Sequence, residues 1–353
     1  MIEIKNISKI YGQNQAVSDL SFVVEDGLVT GFLGPNGAGK STTMNIMTGY
    51  IAPSSGTVLI NGIDIQKEPE NAKKQIGYLP EQPPVYMDMT VREYLTFVAE
   101  LKNVPAKQRE DQVDRVEALV ELLEVEDRLI RNLSKGYRQR VGLAQAIVGF
   151  PPIIILDEPM VGLDPKQIIE IRDLIRKLRE NHTVILSSHI LSEISMVCDK
   201  IVIISGGKLV AYDTPEKLLE QNSKGTEIIL TAKGEIPTIS DFLLKFDDIS
   251  FEMTPDKSNK DFCKVKITSN SDNELCERVF FAFADARIPI VEMHRNIHSL
   301  EDIFLELTEN EDDSDEAASD SDDENDDENI VSDEESDDDI SDNDDTASEE
   351  NDN

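Results

Sequence analysis

The sequence predicts an α/β fold with an inserted helical block, a small α+β C-terminal domain and a disordered acidic tail. Three observations carry this reading. Apolar runs of strand length alternate with helical periodicity over residues 1–220. A glycine-rich loop, GPNGAGKSTT (34–43), stands between a strand-like run and a helix-like one. Residues 309–353 hold 25 acids and neither Lys nor Arg.

The elements follow in chain order. Strand-like runs fall at 2–4, 21–24, 28–33, 57–61, 76–79, 153–156, 183–186 and 201–204. EDG (25–27) and SGGK (205–208) read as hairpin turns. Between 79 and 153 the period changes. Val91, Tyr94, Leu95, Val98 and Leu101 recur at helical spacing, as do Val113, Val116, Leu119, Val120 and Leu123. Ile168, Ile171, Leu174, Ile175 and Leu178 mark a further helix, opened by Pro165. Residues 221–308 read as the small α+β domain, with strands at 227–231, 263–268 and 288–293 and helices at 273–284 and 299–307. Residues 309–353 offer almost nothing apolar to offset their ordering entropy, so they are predicted to be disordered.

Composition narrows the function classes. The 353 residues carry 34 Lys and Arg against 71 Asp and Glu, a net charge of −37. The first 308 residues keep 46 acids against 34 bases, a mild excess. Negative charge argues against nucleic acid as partner, because phosphate backbones recruit positive charge. No run approaches the ~18 apolar residues of a membrane span. The N-terminus lacks a basic-then-apolar leader, and Cys198, Cys263 and Cys276 are scattered, as expected in a reducing cytoplasm. His294 and His298 are four apart, but nothing nearby completes a metal site, so they read as surface or structural residues.

The glycine-rich loop fits G-x-x-x-x-G-K-[ST] through Gly34, Gly39, Lys40 and Ser41. Glycines let successive backbone N–H groups curl around a phosphate, and the following helix adds partial positive charge. Lys40 is expected at the β- and γ-phosphates, and the Ser41 hydroxyl on Mg²⁺. The run enters from 28–33 and leaves into a helix with Met44, Met47 and Ile51 on one face.

IIILDEP (153–159) is an apolar run ending in two acids, which suits a strand buried on both faces of a parallel sheet. Such sheets bind ligands at the carboxyl ends of their strands. Asp157 is therefore expected at the metal, and Glu158 beside the water that attacks the γ-phosphate. LSKGYRQR (133–140) opens with Ser134, a good N-cap, and Gly136 leaves its N–H accessible. Tyr137, Val141, Ala144 and Val148 are expected to face the core. A helix start of this kind is also an anion site.

With GPNGAGKST, LSKGYRQR and ILDEP, residues 1–220 resemble the ATP-binding subunits of ABC transporters. The resemblance implies a P-loop NTPase of ABC type. It implies that Ser134 and Gly136 cap the γ-phosphate of ATP held by the opposite subunit. The family's Leu-Ser-Gly-Gly-Gln is altered here at Lys135 and Tyr137, and Lys135 adds positive charge beside the anion. The resemblance further implies a cofactor set of Tyr11, Gly34, Pro35, Asn36, Gly37, Ala38, Gly39, Lys40, Ser41, Thr42, Gln82, Ser134, Gly136 and Asp164. Tyr11 would stack on adenine, though it also fits a half-buried strand end. Gln82 would touch Mg²⁺ with Ser41 and Asp157, Asp164 would couple two active sites, and His189 would contact the γ-phosphate. SKGYRQR is similar to the variant in type-two exporters, a class with drug, sodium and gliding-motility ATPases. IHSLEDIFLELT (297–308) resembles the end of their small C-terminal domain, either packed on its own domain or against a second subunit.

The resemblance implies an ATP-hydrolysing subunit of an ABC transporter of the exporter class, at the cytoplasmic face of a membrane. The expected partners are a separately encoded permease and a second ATPase, identical or paralogous. Residues 83–89 and the helix after Thr90 are the expected permease surface. The rival is a soluble ABC ATPase on a ribosome or nucleic acid. One motif set and a short interval between Ser41 and Ile153 argue against it.

Overall fold

The computed structural model describes residues 1–222, 226–246, 248–256, 261–269, 274–296 and 300–305. The chain opens with a long hairpin, β1 (Ile2–Tyr11) and β2 (Asn14–Val24). Next, β3 (Val29–Leu33) runs through the glycine loop into α1 (Lys40–Met47). β4 (Ser55–Ile60), β5 (Ile63–Asp64), α2 (Pro69–Lys73) and β6 (Ile76–Leu79) follow. Three helices then intervene, α3 (Val91–Leu101), α4 (Ala106–Leu119) and α5 (Lys135–Ile147). The chain returns through β7 (Ile153–Leu156), α6 (Pro165–Leu178), β8 (Thr183–Ser188), α7 (Leu191–Ser195), β9 (Lys200–Ser205), β10 (Lys208–Asp213) and α8 (Pro215–Asn222). The C-terminal part comprises β11 (Thr226–Lys233), α9 (Ile236–Leu243), β12 (Ser250–Pro255), β13 (Phe262–Ser269), α10 (Leu275–Asp285) and β14 (Ile290–Asn296).

The central sheet has the order β10-β9-β3-β8-β7-β6. It is parallel except for the β9–β10 hairpin, where Ser205 pairs with Lys208. Its two faces bury different cores. Ile153 and Ile155 of β7 join the core shared with the antiparallel sheet β2-β1-β4-β5 and α1. Ile154 and Leu156 join the core built by the helices α3, α5 and α6. All four side chains are fully buried, each contributing ~1.5–3 kcal/mol. Burial on both faces is why this strand reads as an unbroken apolar run.

The helical block hangs on capped ends and a partly buried ion-pair cluster. Thr90 and Glu93 form a reciprocal capping box on α3. Lys102, just after α3, donates to the carbonyls of Gln145, Ala146 and Val148 at 2.7, 3.0 and 2.8 Å, satisfying the open end of α5. Arg92 reaches Asp114, Glu117 and Glu126 together, at 2.8, 2.8 and 2.5 Å. One guanidinium cannot neutralise three carboxylates. Glu117 is fully buried, and burial pushes its pKa up to about 7, against the pull of Arg92 and with help from Glu126 and Asp114. A folded-state pKa above the unfolded 4.5 contributes stability at low pH that fades as pH rises through 7. Glu117→Gln is expected to flatten the fall in melting temperature between pH 5 and 8, removing a dependence of about 1–2 kcal/mol. Equal slopes for parent and variant would refute this.

Several sequence expectations need correction. EDG (25–27) is not a hairpin turn, because β2 and β3 lie in different sheets and the turn carries the chain between layers. The strand at 21–24 is the end of an eleven-residue β2, whose first half is masked by the polar stretch NQ and SD. The periodic run from Val113 to Leu123 is not one helix: Glu121 takes φ 60°, α4 stops, and Leu123 lies in a separate short turn. In the C-terminal sheet, β12-β13-β11-β14, sequence periodicity missed β12 and α9. Its own core contains Ile228, Leu230, Val265, Ile267, Val279 and Phe283.

Residues 300–305 of the closing stretch are described. Ile303 is buried there, and Leu300 and Phe304 pack against the helical-side core of the α/β part rather than the C-terminal sheet's core. The acidic stretch 309–353, expected to be disordered, lies outside the described residues, as does His298. Among the described residues, no helix is long and apolar enough to cross a membrane.

Candidate functional site

The glycine loop leaves the C-terminal end of β3 in the middle of the central sheet. Residues Asn36, Gly37, Gly39, Lys40, Ser41 and Thr42 line a cleft of about 380 Å³, together with Ala16, Glu81, Glu158, Val161 and His189. Gly39 has φ 96°, and a Cβ there would lie 2.5 Å from the Ala16 carbonyl, so no other residue fits. Gly34, Pro35 and Ala38 lie outside this lining, and a Cβ on Gly34 would sit 2.5 Å from the Ile204 carbonyl. The buried Lys40 ammonium donates to the carbonyls of Gly34 and Pro35 at 2.7 and 3.1 Å. Burial lowers the Lys40 pKa, while Glu158 and Asp157 oppose that.

Across the cleft stand the two acids that end β7. Asp157 is buried, and its Oδ1 accepts the Ser187 hydroxyl proton at 2.6 Å. Burial raises its pKa. Glu158 and Glu81 push the same way, and Ser187 and Lys40 oppose them. Glu158 takes φ 48°, and both its carboxylate oxygens lie 3.1 Å from His189 Nδ1. Lys40, Glu158 and His189 are thus brought to one cleft, as the sequence predicts for a γ-phosphate site.

Five expected residues stand elsewhere. Gln82 is exposed and outside this lining, where its neighbour Glu81 stands instead. Register bears on the difference: Leu79 pairs with Leu156, so β6 and β7 end side by side, and Glu81, two residues beyond the end of β6, reaches the cleft that Glu158 lines. Counting from the strand ends finds Glu81; matching by residue type finds Gln82. Tyr11 is half exposed at the hairpin end, with the Lys9 ammonium 5.1 Å from its ring centre, and does not line the cleft. Ser134, Gly136 and Asp164 also lie outside it. Ser187 and Ala16 were missed by sequence reading, since neither belongs to a local motif.

Gly136 and Asp164 line a second cleft, of about 670 Å³. Ser134 caps α5 by accepting the Tyr137 N–H. Tyr137 lines this cleft and is partly exposed, so it does not join Val141, Ala144 and Val148 in the core. Asp164 and Gln167 form the capping box of α6. The Gln167 side chain lies on Gly136, where a Cβ would come within 2.7 Å of it. The Lys135 ammonium lies over Gly162, not free beside α5, because a Cβ on Gly162 would sit 1.9 Å from Nζ. Residues 158–164 therefore bridge both clefts. Glu158 and Val161 line the first, and Leu163 and Asp164 the second.

Ser41, Asp157 and Glu81 supply oxygen donors only, which suits a hard cation such as Mg²⁺. Among the described residues, no three His, Cys, Asp or Glu residues are grouped to hold a metal unaided. A cation here would need phosphate oxygens and water to complete its shell, as Mg²⁺ at a nucleotide does.

Comparison with known proteins finds relatives in one family. The ABC transporter family model matches residues 17–161. An uncharacterized ABC transporter ATP-binding protein of Bacillus subtilis, YhcH, is 42% identical over 60% of this chain and 68% of its own length. The bacitracin transport ATP-binding protein BcrA of Bacillus licheniformis is 32% identical over 87% of this chain and 97% of its own. The dimeric structure of MJ0796, a bacterial ABC transporter cassette, is similar with a TM-score of 0.56 and 26% identity, covering 61% of this chain and 98% of that one. The chain belongs to the ATP-binding subunits of ABC transporters, the ATPases that hydrolyse ATP to power transport.

Proposed function

We propose that this chain powers an exporter of the type-two class as one of two ATPase subunits at the cytoplasmic face of a membrane, docked on a separately encoded permease. The observation that carries the two-subunit reading is the separation of the clefts. One holds the phosphate loop with Glu158 and His189; the other holds Gly136 and Asp164. A γ-phosphate site built from both halves needs a second chain. The likeness to the MJ0796 dimer supports this, and the SKGYRQR variant and the BcrA likeness over most of the chain support the exporter class. The proposed division is 1–220 for ATP binding, 221–308 as an accessory domain and 309–353 as a tail.

In this reading the backbone N–H groups of residues 36–42 and the Lys40 ammonium hold the β- and γ-phosphates. Ser41, Asp157 and Glu81 would hold Mg²⁺, which would neutralise charge on the phosphate oxygens. Glu158 takes a proton from the attacking water, and His189 orients its carboxylate. Ser134 and Gly136 of the second subunit cap the γ-phosphate, and Asp164 and its loop link the two sites. Tyr11 stacks on the base.

Affinity purification of Glu158→Gln protein from detergent extracts with ATP tests this. Recovery of one multi-span protein in equal amount supports the permease. Recovery of ribosomes or DNA-bound proteins overturns it. The expected contact surface includes Tyr86 and Met87, which are 53% and 44% exposed. Tyr86 is held by edge contacts to Tyr94 and Phe97 at 6.0 and 5.6 Å, a rigid aromatic anchor. Tyr86→Ala with Met87→Ser is expected to weaken permease capture about 10-fold or more while basal ATP turnover stays unchanged. Undiminished capture would remove this surface.

A further inference from the structure

Glu158 has an unusual backbone for a glutamate. Its φ of 48° lies in the left-handed region, which a side chain with a Cβ rarely adopts unless neighbours hold it there. Two contacts anchor this turn. The Val161 N–H donates to the Glu158 carbonyl at 3.2 Å, and the Glu158 N–H donates to Ser187 Oγ at 2.9 Å. The same Ser187 hydroxyl donates its proton to Asp157 Oδ1 at 2.6 Å. Ser187 is fully buried at the end of β8, where the pairing of Leu156 with Leu186 brings it level with Asp157.

A serine hydroxyl has one proton and two lone pairs. Here the proton goes to the buried carboxylate and a lone pair receives the N–H of the next residue. The direction of each bond is fixed, because a backbone N–H can only donate and an ionised carboxylate can only accept. The two bonds therefore set different things at once. One fixes the rotation of the Asp157 carboxylate by engaging a lone pair of Oδ1, and so sets the direction in which the carboxylate faces a cation. The other holds the turn that swings the Glu158 carboxylate toward His189 and the cleft, away from the line of β7. The neighbouring Ser188 does a separate job. Its hydroxyl donates to Glu193 at 2.9 Å and accepts the Ile190 N–H at 3.0 Å, which braces the loop carrying His189.

We propose that Ser187 is a positioning residue for ATP hydrolysis, orienting both acids of the site through one hydroxyl. This rests on the roles given above to Asp157 and Glu158. If those roles are wrong, Glu158→Gln keeps its turnover. If only the role of Ser187 is wrong, Glu158→Gln is inactive and Ser187→Ala is not.

The test uses the full chain with Ser187→Ala, Ser187→Thr and Ser187→Val. Thr and Val have nearly the same volume, and only Thr keeps the hydroxyl. Three quantities are read: kcat at saturating ATP, ATP affinity in EDTA, and Mn²⁺ affinity of the ADP complex by electron paramagnetic resonance. The last two need no turnover. Ser187→Ala is expected to lower kcat about 10- to 100-fold, the scale of a misplaced catalytic group. It should weaken Mn²⁺ several-fold while changing metal-free ATP affinity less than about two-fold, since the phosphate loop is untouched. Ser187→Thr should recover most of both losses, and Ser187→Val should not. Parental kcat and Mn²⁺ affinity in Ser187→Ala would overturn the proposal, leaving the serine a packing residue. Should Ser187→Ala fail to fold, Thr and Val decide: Thr well above Val supports the hydroxyl's role, and equal values for the two overturn it.

Discussion

Glu158→Gln is expected to leave a protein that binds ATP and pairs with a second copy but hydrolyses it about 10²- to 10⁴-fold more slowly. The geometry isolates this effect. The amide is isosteric with the carboxylate, and the bond from Ser187 reaches the Glu158 backbone rather than its side chain. The turn at residue 158 therefore survives the change. In the proposed mechanism, what disappears is the acceptor for the proton of the attacking water, together with the carboxylate that faces His189 at 3.1 Å. Removing a negative charge opposite the γ-phosphate also favours the ATP-bound pair. Phosphate release at saturating ATP reads the loss, and gel filtration with ATP reads the dimer. Turnover at the parental rate would remove Glu158 as the base.

The parts of this site legible in the sequence are those whose chemistry is local. The phosphate loop needs glycines at fixed spacing and a lysine and serine in register, so GPNGAGKST carries its own placement. The strand IIILDEP is buried on both faces, so its position in the central sheet follows from composition alone. Residues placed by neighbours were harder to find. Glu81 reaches the cleft because β6 lies beside β7 with Leu79 opposite Leu156, a register that residue-type matching passes over in favour of Gln82. Ser187 matters because β8 lies on the other side of β7. Tyr137 fits the apolar period of α5, yet it faces the second cleft, where Gln167 and Gly136 set the packing. The strand β12 and helix α9 were missed because their pattern gains meaning only against the C-terminal core they help to fill.

Two inactive variants are expected to restore activity to each other. Lys40→Met keeps the apolar stem and removes the ammonium that the phosphate loop needs. Gly136→Asp places a carboxylate at the first turn of α5. The helix tolerates it electrostatically, since acids favour helix N-termini, but it repels the γ-phosphate of an opposing chain. Its Cβ meets the Gln167 side chain, a flexible neighbour that can move aside. Each variant alone is expected to lose almost all turnover, because both sites of its dimer carry the defect. In an equal mixture, half the dimers hold one chain of each kind. Such a dimer pairs the intact phosphate loop of the Gly136→Asp chain with the intact Gly136 of the Lys40→Met chain. One of its two sites is complete, so the mixture should recover about a quarter of parental activity if the sites act independently. If hydrolysis requires both sites, turnover stays low, but one nucleotide per mixed dimer should still be retained when Glu158→Gln is added to both chains. A mixture that neither turns over nor retains nucleotide would mean that one chain does not complete the other's site, and the two-cleft reading would fall.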